Sequence, residues 1–526
     1  MSEHILTCLI FLPILAALAA VFIPRKRHPW FRILNLLVCA VQLLLLLPAI
    51  QHYTAETGAL RLVERINWFS LNLGSWGNLQ AEYFLAVDGL SFPLIGLSAF
   101  IMLIAAVSSW TITKGVKGYF ILLLVLNGAI MGSFAALDLL LFYLFFEFML
   151  LPMFFLIGIW GGDRKEYASI KFFLYTLCGS ILILIAFIAL YLSCSVPGDS
   201  IVHTFNITYL QDPGNYIRGS LLHPSDGLTI GGWNARNWAF LFLFIGFAIK
   251  LPMVPFHTWL PDAHVEAPTP VSVVLAALLL KVGGYGLMRI AYPLFPDAAH
   301  SLSWVVGLLG VISIIYGALA AMASKDLKRL IAYSSVSHMG YVLLGMASVT
   351  EEGAAGAVYQ MVSHGIITAM LFLIAGVLYD RTKDRMIENY SGLIKLMPSY
   401  FAVVLIAFFA SLGLPGFSGF IAEILVFLGA FRSEFIHLSL AIIATLGLAL
   451  GAAYYLWTIQ RMFFGVLYVR GPSSAEQMTD LDTREKIMFI PLALAALIFG
   501  IFPQVLLNYI DPFARGFVAL LSGAAN

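Results

Sequence analysis

The chain has 526 residues, of which 61% are hydrophobic and only 11% are charged, and its mean hydropathy is +0.93. A soluble fold contains about half apolar and about a quarter charged residues, so this composition excludes a soluble protein and indicates an integral membrane protein. The formal net charge of +1 leaves no basic surface for a nucleic-acid partner.

Long apolar runs predict an all-α integral membrane protein with about fourteen transmembrane helices. The first seven predicted spans are 5–23, 31–50, 84–107, 119–136, 138–160, 168–194 and 238–255. The other seven are 270–292, 302–323, 329–348, 354–380, 399–432, 437–465 and 487–509. Two long polar stretches, 51–83 and 195–237, contain enough Gly, Pro, Asn and Asp for turns and a short hairpin.

The distribution of basic residues predicts the orientation of these spans. Arg25, Lys26 and Arg27 follow the first apolar run instead of preceding it, so we expect a span there and not a cleaved signal peptide. Most of the 29 Lys and Arg residues fall in loops after odd-numbered spans. Because cytoplasmic loops collect positive charge, both termini are predicted to lie on the outer face.

The sequence contains no motif of a soluble cofactor-binding domain. It lacks the GxGxxG, GxxxxGK[ST] and CxxCH patterns, so we expect no nucleotide, flavin or c-type haem in this chain. The four cysteines have no CxxC spacing, which argues against a disulfide framework, a zinc site and an iron–sulfur site. Any redox chemistry is therefore expected in other proteins.

Six titratable side chains fall inside predicted spans, and they are Glu147, Lys250, Lys281, His338, His364 and Glu423. A charged side chain at the bilayer centre costs at least ~2.5 to 3.5 kcal/mol, so such residues usually mark an ion route. The alternative is that Glu147 and Lys250 form a buried pair that only aids assembly, with the histidines bound to backbone carbonyls. If the pair is functional, making or breaking it would load or release one proton.

The chemistry of these side chains favours protons over metal ions. Lys, His and Glu can be tuned to titrate near neutrality, whereas hard cations prefer several convergent oxygens. Haem iron bound by His338 and His364 is a competing hypothesis, but bis-histidine haem chains normally need two such pairs. In the loop PFHTWLPDAHVEAPTP, we interpret Asp262, His264 and Glu266 as a cap and a cytoplasmic proton funnel rather than a metal site.

Two predicted spans, the seventh and the twelfth, are interrupted beside an ionisable residue. Pro252 and Pro255 follow Lys250, and a glycine-rich segment with Pro415 precedes Glu423. Broken helices at corresponding positions indicate inverted repeats with ion sites at the breaks. Spans four to eight and nine to thirteen would form two five-helix repeats, and the odd number inverts the second repeat.

We therefore divide the chain into four parts. The N-terminal part is predicted at 1–118 and the first repeat at 119–292. The second repeat is predicted at 302–465, and the C-terminal helix with its tail at 466–526.

Several segments resemble one known family. They are the surroundings of Glu147, KLPMVPFHTWLPDAHVEAPTPVS from Lys250, LLLKVGGYG around Lys281, KDLKRLIAYSSVSHMG from Lys325, and GLPGFSGFIAE up to Glu423. Over roughly residues 80–465 the chain resembles the antiporter-like membrane subunits of the proton-pumping NADH:quinone oxidoreductase, respiratory complex I. Sibling subunits usually carry a lysine at the position of Glu423, and the distal sibling has a long lateral helix that we do not expect here.

The resemblance implies fourteen helices in two inverted five-helix repeats, with spans seven and twelve discontinuous and a hydrophilic axis through the membrane. It also implies roles on matching positions. Glu147 and Lys250 would be the ion pair of the entry half-channel in the first repeat, and Lys281 would be the connecting relay. His338 and His364 would be the central relay, and Glu423 would be the terminal group of the exit side. Asp88 in VDGLSF matches a family position as well, but a structural role at a helix start is an equal alternative, and Asp138 would cap span five.

The resemblance further implies proton translocation driven by quinone reduction in neighbouring subunits. No cofactor is expected in this chain, whereas FMN, iron–sulfur clusters and quinone are expected in partner subunits. The implied setting is a hetero-oligomer with other complex I membrane subunits, including sibling antiporter-like subunits, in a bacterial inner membrane. Two alternatives stay open: a sodium/proton antiporter subunit, and a structural or proton-channel subunit of a membrane hydrogenase.

Overall fold

The computed structural model describes residues 4–52, 60–72, 74, 78–196, 202–470 and 478–523. Within these ranges the chain is mostly helical, and twelve helices are long and apolar enough to cross a membrane. The prediction of an all-α membrane protein from apolar runs is confirmed.

The helices are numbered in chain order. The first six are α1 (Ile5–Phe22), α2 (His28–His52), α3 (Ser91–Ser108), α4 (Val116–Ala135), α5 (Leu139–Trp160) and α6 (Lys165–Ser193). The next six are α7 (Ala235–Lys250), α8 (Trp259–Glu266), α9 (Thr269–Leu294), α10 (Pro296–Met322), α11 (Leu327–Ala347) and α12 (Glu351–Thr382). The last five are α13 (Pro398–Ser411), α14 (Ser418–Arg432), α15 (Leu438–Phe463), α16 (Thr483–Ile501) and α17 (Gln504–Gly523).

Short strands lie in the loops between the helices. They are β1 (Arg61–Asn72), β2 (Asn78–Val87), β3 (Val202–Thr204), β4 (Thr229–Ile230), β5 (Trp233–Asn234), β6 (Tyr390–Ser391) and β7 (Tyr468–Val469). β1 pairs antiparallel with β2, and β3 adds to β2 in parallel, which confirms the hairpin expected in the polar stretches. We call the side of the molecule with β1, β2 and β3 the hairpin face, and the opposite side the loop face.

The start predicted for span three is wrong. Residues 84–87 belong to β2, and α3 begins only at Ser91. The second half of β2 is almost entirely buried. A strand covered on both sides shows no polar alternation, so its apolar residues read as a continuation of the following helix.

Three of the fourteen predicted spans are not among the twelve long apolar helices, which leaves the count of fourteen a prediction. Span 238–255 contains only α7, and α8 begins beyond it at Trp259. Span 399–432 is divided into α13 and α14, and span 487–509 corresponds to α16, whose first turn is charged. The twelfth long helix is α17, which was not predicted as a span. α17 packs against the start of α3, where the rings of Phe92 and Tyr509 lie 5.5 Å apart.

Two helices begin at positions that are fixed by the side chain of an aspartate outside the helix. Asp138 accepts hydrogen bonds from the backbone of Leu140 and Leu141 at 3.0 Å each, so the expected cap of α5 is confirmed. Asp138 also accepts one from the backbone of Glu82 at 3.1 Å, which ties α5 to β2. Such caps satisfy helix N–H groups that have no partner within the helix.

Asp480 caps the first half of a broken helix from a distant part of the chain. Its carboxylate accepts hydrogen bonds from the backbone of Ser399 and Tyr400 at the start of α13, each at 2.9 Å. Burial alone would raise the pKa of Asp480, but the N–H donors of Ser399, Leu481 and Tyr400 together hold it below its usual range. The start of α13 is thereby anchored to the chain that precedes α16.

Helices α10 and α11 approach so closely that their backbones touch through glycines. A Cβ added at Gly340 would lie 2.6 Å from the carbonyl oxygen of Gly310, and one at Gly317 would lie 2.6 Å from the backbone nitrogen of Ser337. Small residues allow this approach, which provides van der Waals packing where no hydrophobic effect drives helix association. The contact fixes the position of α11, which carries His338.

We predict that Gly340→Val lowers the free energy of unfolding by about 1 to 3 kcal/mol, because the side chain must push α11 away from α10. Gly451→Val is the matched control, since nothing lies within 4 Å of a Cβ at Gly451. The measurement is the thermal unfolding midpoint and the yield of each purified variant. Equal loss in both variants would contradict the packing described for α10 and α11.

Candidate functional site

Both predicted helix breaks are present. α7 ends at Lys250 and α8 begins at Trp259, while α13 ends at Ser411 and α14 begins at Ser418. Each break frees backbone groups that a continuous helix would pair. At the first break the indole of Trp259 donates to the carbonyl oxygen of Ile249 at 2.9 Å.

The second break depends on glycines with left-handed backbone. Gly413 has φ +76° and Gly416 has φ +98°, values that favour glycine. A Cβ at Gly413 would collide with the carboxylate of Glu423. Glycine at this position therefore both permits the turn and makes room for the carboxylate beside the break.

Lys250 lies at the end of α7 and points at α5. Its ammonium nitrogen lies 3.6 Å from the ring centroid of Phe146 and donates to the Phe146 carbonyl oxygen at 3.4 Å. Lys250 is buried, whereas Glu147 is partly exposed. Among the salt bridges of the described residues, with nitrogen and oxygen within 4.0 Å, there is none between Glu147 and Lys250. The two residues predicted as a pair therefore lie on neighbouring helices, and the lysine contacts the residue next to Glu147.

Lys281 contacts one of the two predicted histidines directly. Its ammonium nitrogen lies 2.7 Å from Nδ1 of His364 and donates to the carbonyl oxygen of Ala276 at 2.6 Å. Lys281 is fully buried within α9. Two π-helical segments, Leu275–Leu279 and Leu287–Ala291, flank the α-helical turn that carries Lys281. Such segments inside α-helices are frequent at functional sites.

The second histidine continues the row. The rings of His338 and His364 have centroids 5.4 Å apart, and Nε2 of His338 lies 3.8 Å from Oε1 of Glu423. His338 is held on both sides, because Nδ1 lies 2.8 Å from the carbonyl oxygen of Ser334 and Nε2 lies 3.0 Å from that of Ser411. The Ser411 carbonyl is one of the groups freed by the second helix break. Lys281, His364, His338 and Glu423, which we call the central row, thus form one buried sequence of contacts.

Polar side chains from α15 support the central row. The Tyr455 hydroxyl lies 2.7 Å from Oγ of Ser411 and donates to Oγ of Ser334 at 3.1 Å. These two serines provide the carbonyl groups that hold His338. The network fixes the imidazole between His364 and Glu423.

The loop acids Asp262 and Glu266 contact basic groups and the backbone. Asp262 lies 2.7 Å from the ammonium of Lys171 and 3.4 Å from the guanidinium of Arg329, and Glu266 accepts a hydrogen bond from the backbone of Arg164 at 2.9 Å. In the described part of the chain, no group of three or more His, Cys, Asp or Glu side chains has the geometry to hold a metal ion. The aspartate and the glutamate are bound to basic groups and the backbone instead.

Among the described residues, three buried arginines and lysines were not singled out in the sequence, namely Arg236, Arg289 and Lys328. Arg289 forms an ion pair with Asp88, which also accepts hydrogen bonds from the backbone of Leu90 and Ser91 at 3.1 Å each. Lys328 is buried at the start of α11. All three lie near the ends of predicted spans, where a basic residue is typical of a loop or a helix end. For Arg289 the apolar sequence on both sides was a usable signal.

Two comparisons with known sequences concern most of the chain. Residues 136–448 match a family model described as NADH:quinone oxidoreductase/Mrp antiporter, TM. The chain is 39% identical to NADH-quinone oxidoreductase subunit M of Rhodobacter capsulatus, over 97% of this chain and 95% of the relative. It is 37% identical to NAD(P)H-quinone oxidoreductase chain 4 of Gloeobacter violaceus, over 96% and 91%.

Solved structures share the fold. A chain of respiratory complex I from Thermus thermophilus with bound NADH has a TM-score of 0.80 and 31% identity, covering 99% of this chain and 100% of that one. A chain of the Mrp complex from Dietzia sp. DQ12-45-1b has a TM-score of 0.81, covers 100% of this chain and 99% of that one, and at 19% identity shows the fold alone.

The fold and the central row define a multi-pass membrane protein of the antiporter-like class, with interrupted helices beside buried titratable groups. The chain belongs to the NADH:quinone oxidoreductase/Mrp antiporter family. Several of its relatives are named NADH-quinone oxidoreductase subunit M. Within the resemblance, Glu423 at a position where sibling subunits usually carry a lysine predicts the same subunit M, and this prediction is confirmed.

We predict that Arg289→Met lowers the free energy of unfolding by about 3 to 5 kcal/mol, because Asp88 is left as an unpaired buried charge. Arg432→Met is the matched control, since the pair of Arg432 with Glu352 is largely exposed and such pairs contribute ~0 to 1 kcal/mol. Thermal unfolding of both purified variants measures the difference. Similar midpoints for the two would contradict a structural role of the Asp88 pair.

Proposed function

We propose that this chain is a proton-translocating membrane subunit of an NADH:quinone oxidoreductase. The single observation that carries the proposal is the central row, in which four titratable side chains follow one another within the buried interior. Each is a group that binds and releases a proton, and three of the four are nitrogen bases. In this proposal protons pass along the row from Lys281 towards Glu423.

The proposed path begins at Glu147 and Lys250. Lys250 already contacts the backbone and the ring of Phe146, one residue from Glu147. A change of rotamer would exchange this contact for the Glu147 carboxylate, so the pair is proposed as a switch and not as a permanent ion pair. Lys281 is the proposed connection to His364 and His338, and Glu423 is the proposed group at the exit side.

The energy for transport must come from outside the chain. Moving one proton against ~180 mV costs about 4 kcal/mol, at ~2.3 kcal/mol for each 100 mV. We propose that quinone reduction in neighbouring subunits supplies this energy, with FMN, iron–sulfur clusters and quinone held by those partners. This chain would contribute the proton route to a hetero-oligomer with sibling antiporter-like subunits.

The proposed location is a bacterial inner membrane with both termini outside. The basic residues support this orientation. Arg25, Lys26 and Arg27 lie between α1 and α2 on the loop face, together with Lys114 between α3 and α4 and Lys117 in the first turn of α4. Such loops lie on the cytoplasmic side in most membrane proteins.

A sodium/proton antiporter subunit is the alternative. A sodium site would need several convergent oxygen ligands, as other hard cations do. The central row provides a lysine, two histidines and a single carboxylate. Its composition favours protons.

The test is a pair of variants that remove the titratable group with little change in shape. Lys281→Met and Glu423→Gln are each expected to lower NADH:quinone turnover and coupled proton pumping at least about tenfold in membranes that contain the assembled complex. Glu434→Gln is the matched control, because Glu434 is exposed in the loop between α14 and α15.

Assembly is checked by the yield and subunit composition of the purified complex. Pumping at wild-type levels in both Lys281→Met and Glu423→Gln would refute the proposed function. Sodium-dependent transport that is lost in Glu423→Gln would favour the alternative.

A further inference from the structure

Lys328 lies in the wall of a cavity that the proposed path does not use. The cavity has a volume of about 590 Å³, opens on the loop face, and is lined by the ends of α3 and α12 and the starts of α9 and α16. Asp380, Arg381 and Glu485 are among its polar lining residues. Lys328 is 3% exposed, so it is a buried residue of the cavity wall.

A short hydrogen-bonded connection leads from Lys328 to His264. Lys328 donates to the carbonyl oxygen of Ala267 at 2.6 Å and to Oγ of Ser272 at 3.3 Å. Ser272 in turn donates to the carbonyl oxygen of His264 at 3.2 Å. Lys328 and the backbone of His264 thus share Ser272, at the start of α9, as a hydrogen-bond partner.

The imidazole of His264 is fully buried, and its two nitrogens lack hydrogen-bond partners among the described residues. The ring stacks on Phe372 with centroids 4.3 Å apart. A buried polar group without a partner costs about 1 to 3 kcal/mol, and ordered water normally satisfies such groups. The ring nitrogens of His264 carry this free-energy cost without stabilising the fold through a hydrogen bond, which suggests that they have a functional role.

The contacts of His264 connect it to the helix that carries His364. Its imidazole stacks on Phe372 of α12, and His364 lies on the same helix. Its backbone shares Ser272 as a hydrogen-bond partner with Lys328, which lines the cavity. His264 is therefore in contact both with the surroundings of Lys328 and with α12.

We propose that Lys328 and His264 form a second proton inlet, which leads from the loop-face cavity directly to Lys281 and His364. The inference rests on the proposed function, since it needs the central row to carry protons. The proton leaves Nζ of Lys328 and is received by a ring nitrogen of His264 through water. Lys328 regains a proton from the cavity, and His264 passes its proton to the Lys281–His364 pair. The second repeat is then loaded without passage through Glu147 and Lys250.

His264→Phe separates this proposal from a packing role. Phenylalanine keeps the stacking on Phe372 and removes two unpaired nitrogens, so packing alone predicts an equal or higher unfolding midpoint and unchanged turnover. The inlet predicts an assembled complex whose NADH:quinone turnover and proton pumping fall at least about tenfold. In inside-out vesicles, the remaining rate of this variant should rise as the pH of the medium is lowered, because uptake has become limiting.

Lys328→Arg tests the lysine independently of His264. Arginine keeps the positive charge and the donors but does not release a proton in proteins. A purely structural cation predicts near-wild-type turnover in Lys328→Arg, whereas the inlet predicts the same loss as in Lys328→Met. Lys325→Met is the matched control, since Lys325 is three residues away and 72% exposed at its side chain.

Proton pumping in His264→Phe and Lys328→Arg is compared with that in Lys281→Met. Loss of pumping in Lys281→Met with wild-type pumping in both His264→Phe and Lys328→Arg would overturn the inlet and leave the proposed function standing. Wild-type pumping in Lys281→Met would refute both. Loss in all three, with Lys325→Met unchanged and every complex assembled, is the result that the inlet predicts.

Discussion

A membrane interior offers no water to a charged side chain, so each titratable group there must find its partners in the protein. In this chain the groups are partners of one another. Lys281 contacts His364, the ring centroid of His364 lies 5.4 Å from that of His338, and His338 approaches Glu423. The fold can be understood as the set of packing and hydrogen-bonding arrangements that keep these four side chains in one row.

Irregular backbone supplies much of that arrangement. The break between α13 and α14 frees the Ser411 carbonyl that holds His338, and the left-handed Gly413 leaves room for Glu423. The close contact of α10 with α11 fixes the helix that carries His338. Helix breaks in membrane proteins are tolerated where neighbouring groups form hydrogen bonds with the freed backbone. Here the group that bonds the freed Ser411 carbonyl is His338, a member of the central row.

Much of this could be predicted from the sequence, because membrane helices have a strong compositional signal and charges within them are rare. The breaks after Lys250 and before Glu423 follow from Pro and Gly alone. The strand character of residues 84–87 was hidden, since burial on both faces removes the alternation that marks a strand. Burial of Arg289 and Lys328 was also missed, because a basic residue near a span end looks like a loop residue until tertiary contacts are known. The contact of Lys250 with Phe146 depends on a rotamer, which no sequence pattern encodes.

As the proposed exit group of the central row, Glu423 must gain and lose a proton during turnover. The most direct measurement is reaction-induced infrared difference spectroscopy of the assembled complex, comparing wild type with Glu423→Gln. We expect a protonated-carboxyl band that changes on quinone reduction, shifts in deuterium oxide and is absent in the variant. Identical difference spectra for the two proteins in the carboxyl region would contradict a change in the protonation of Glu423.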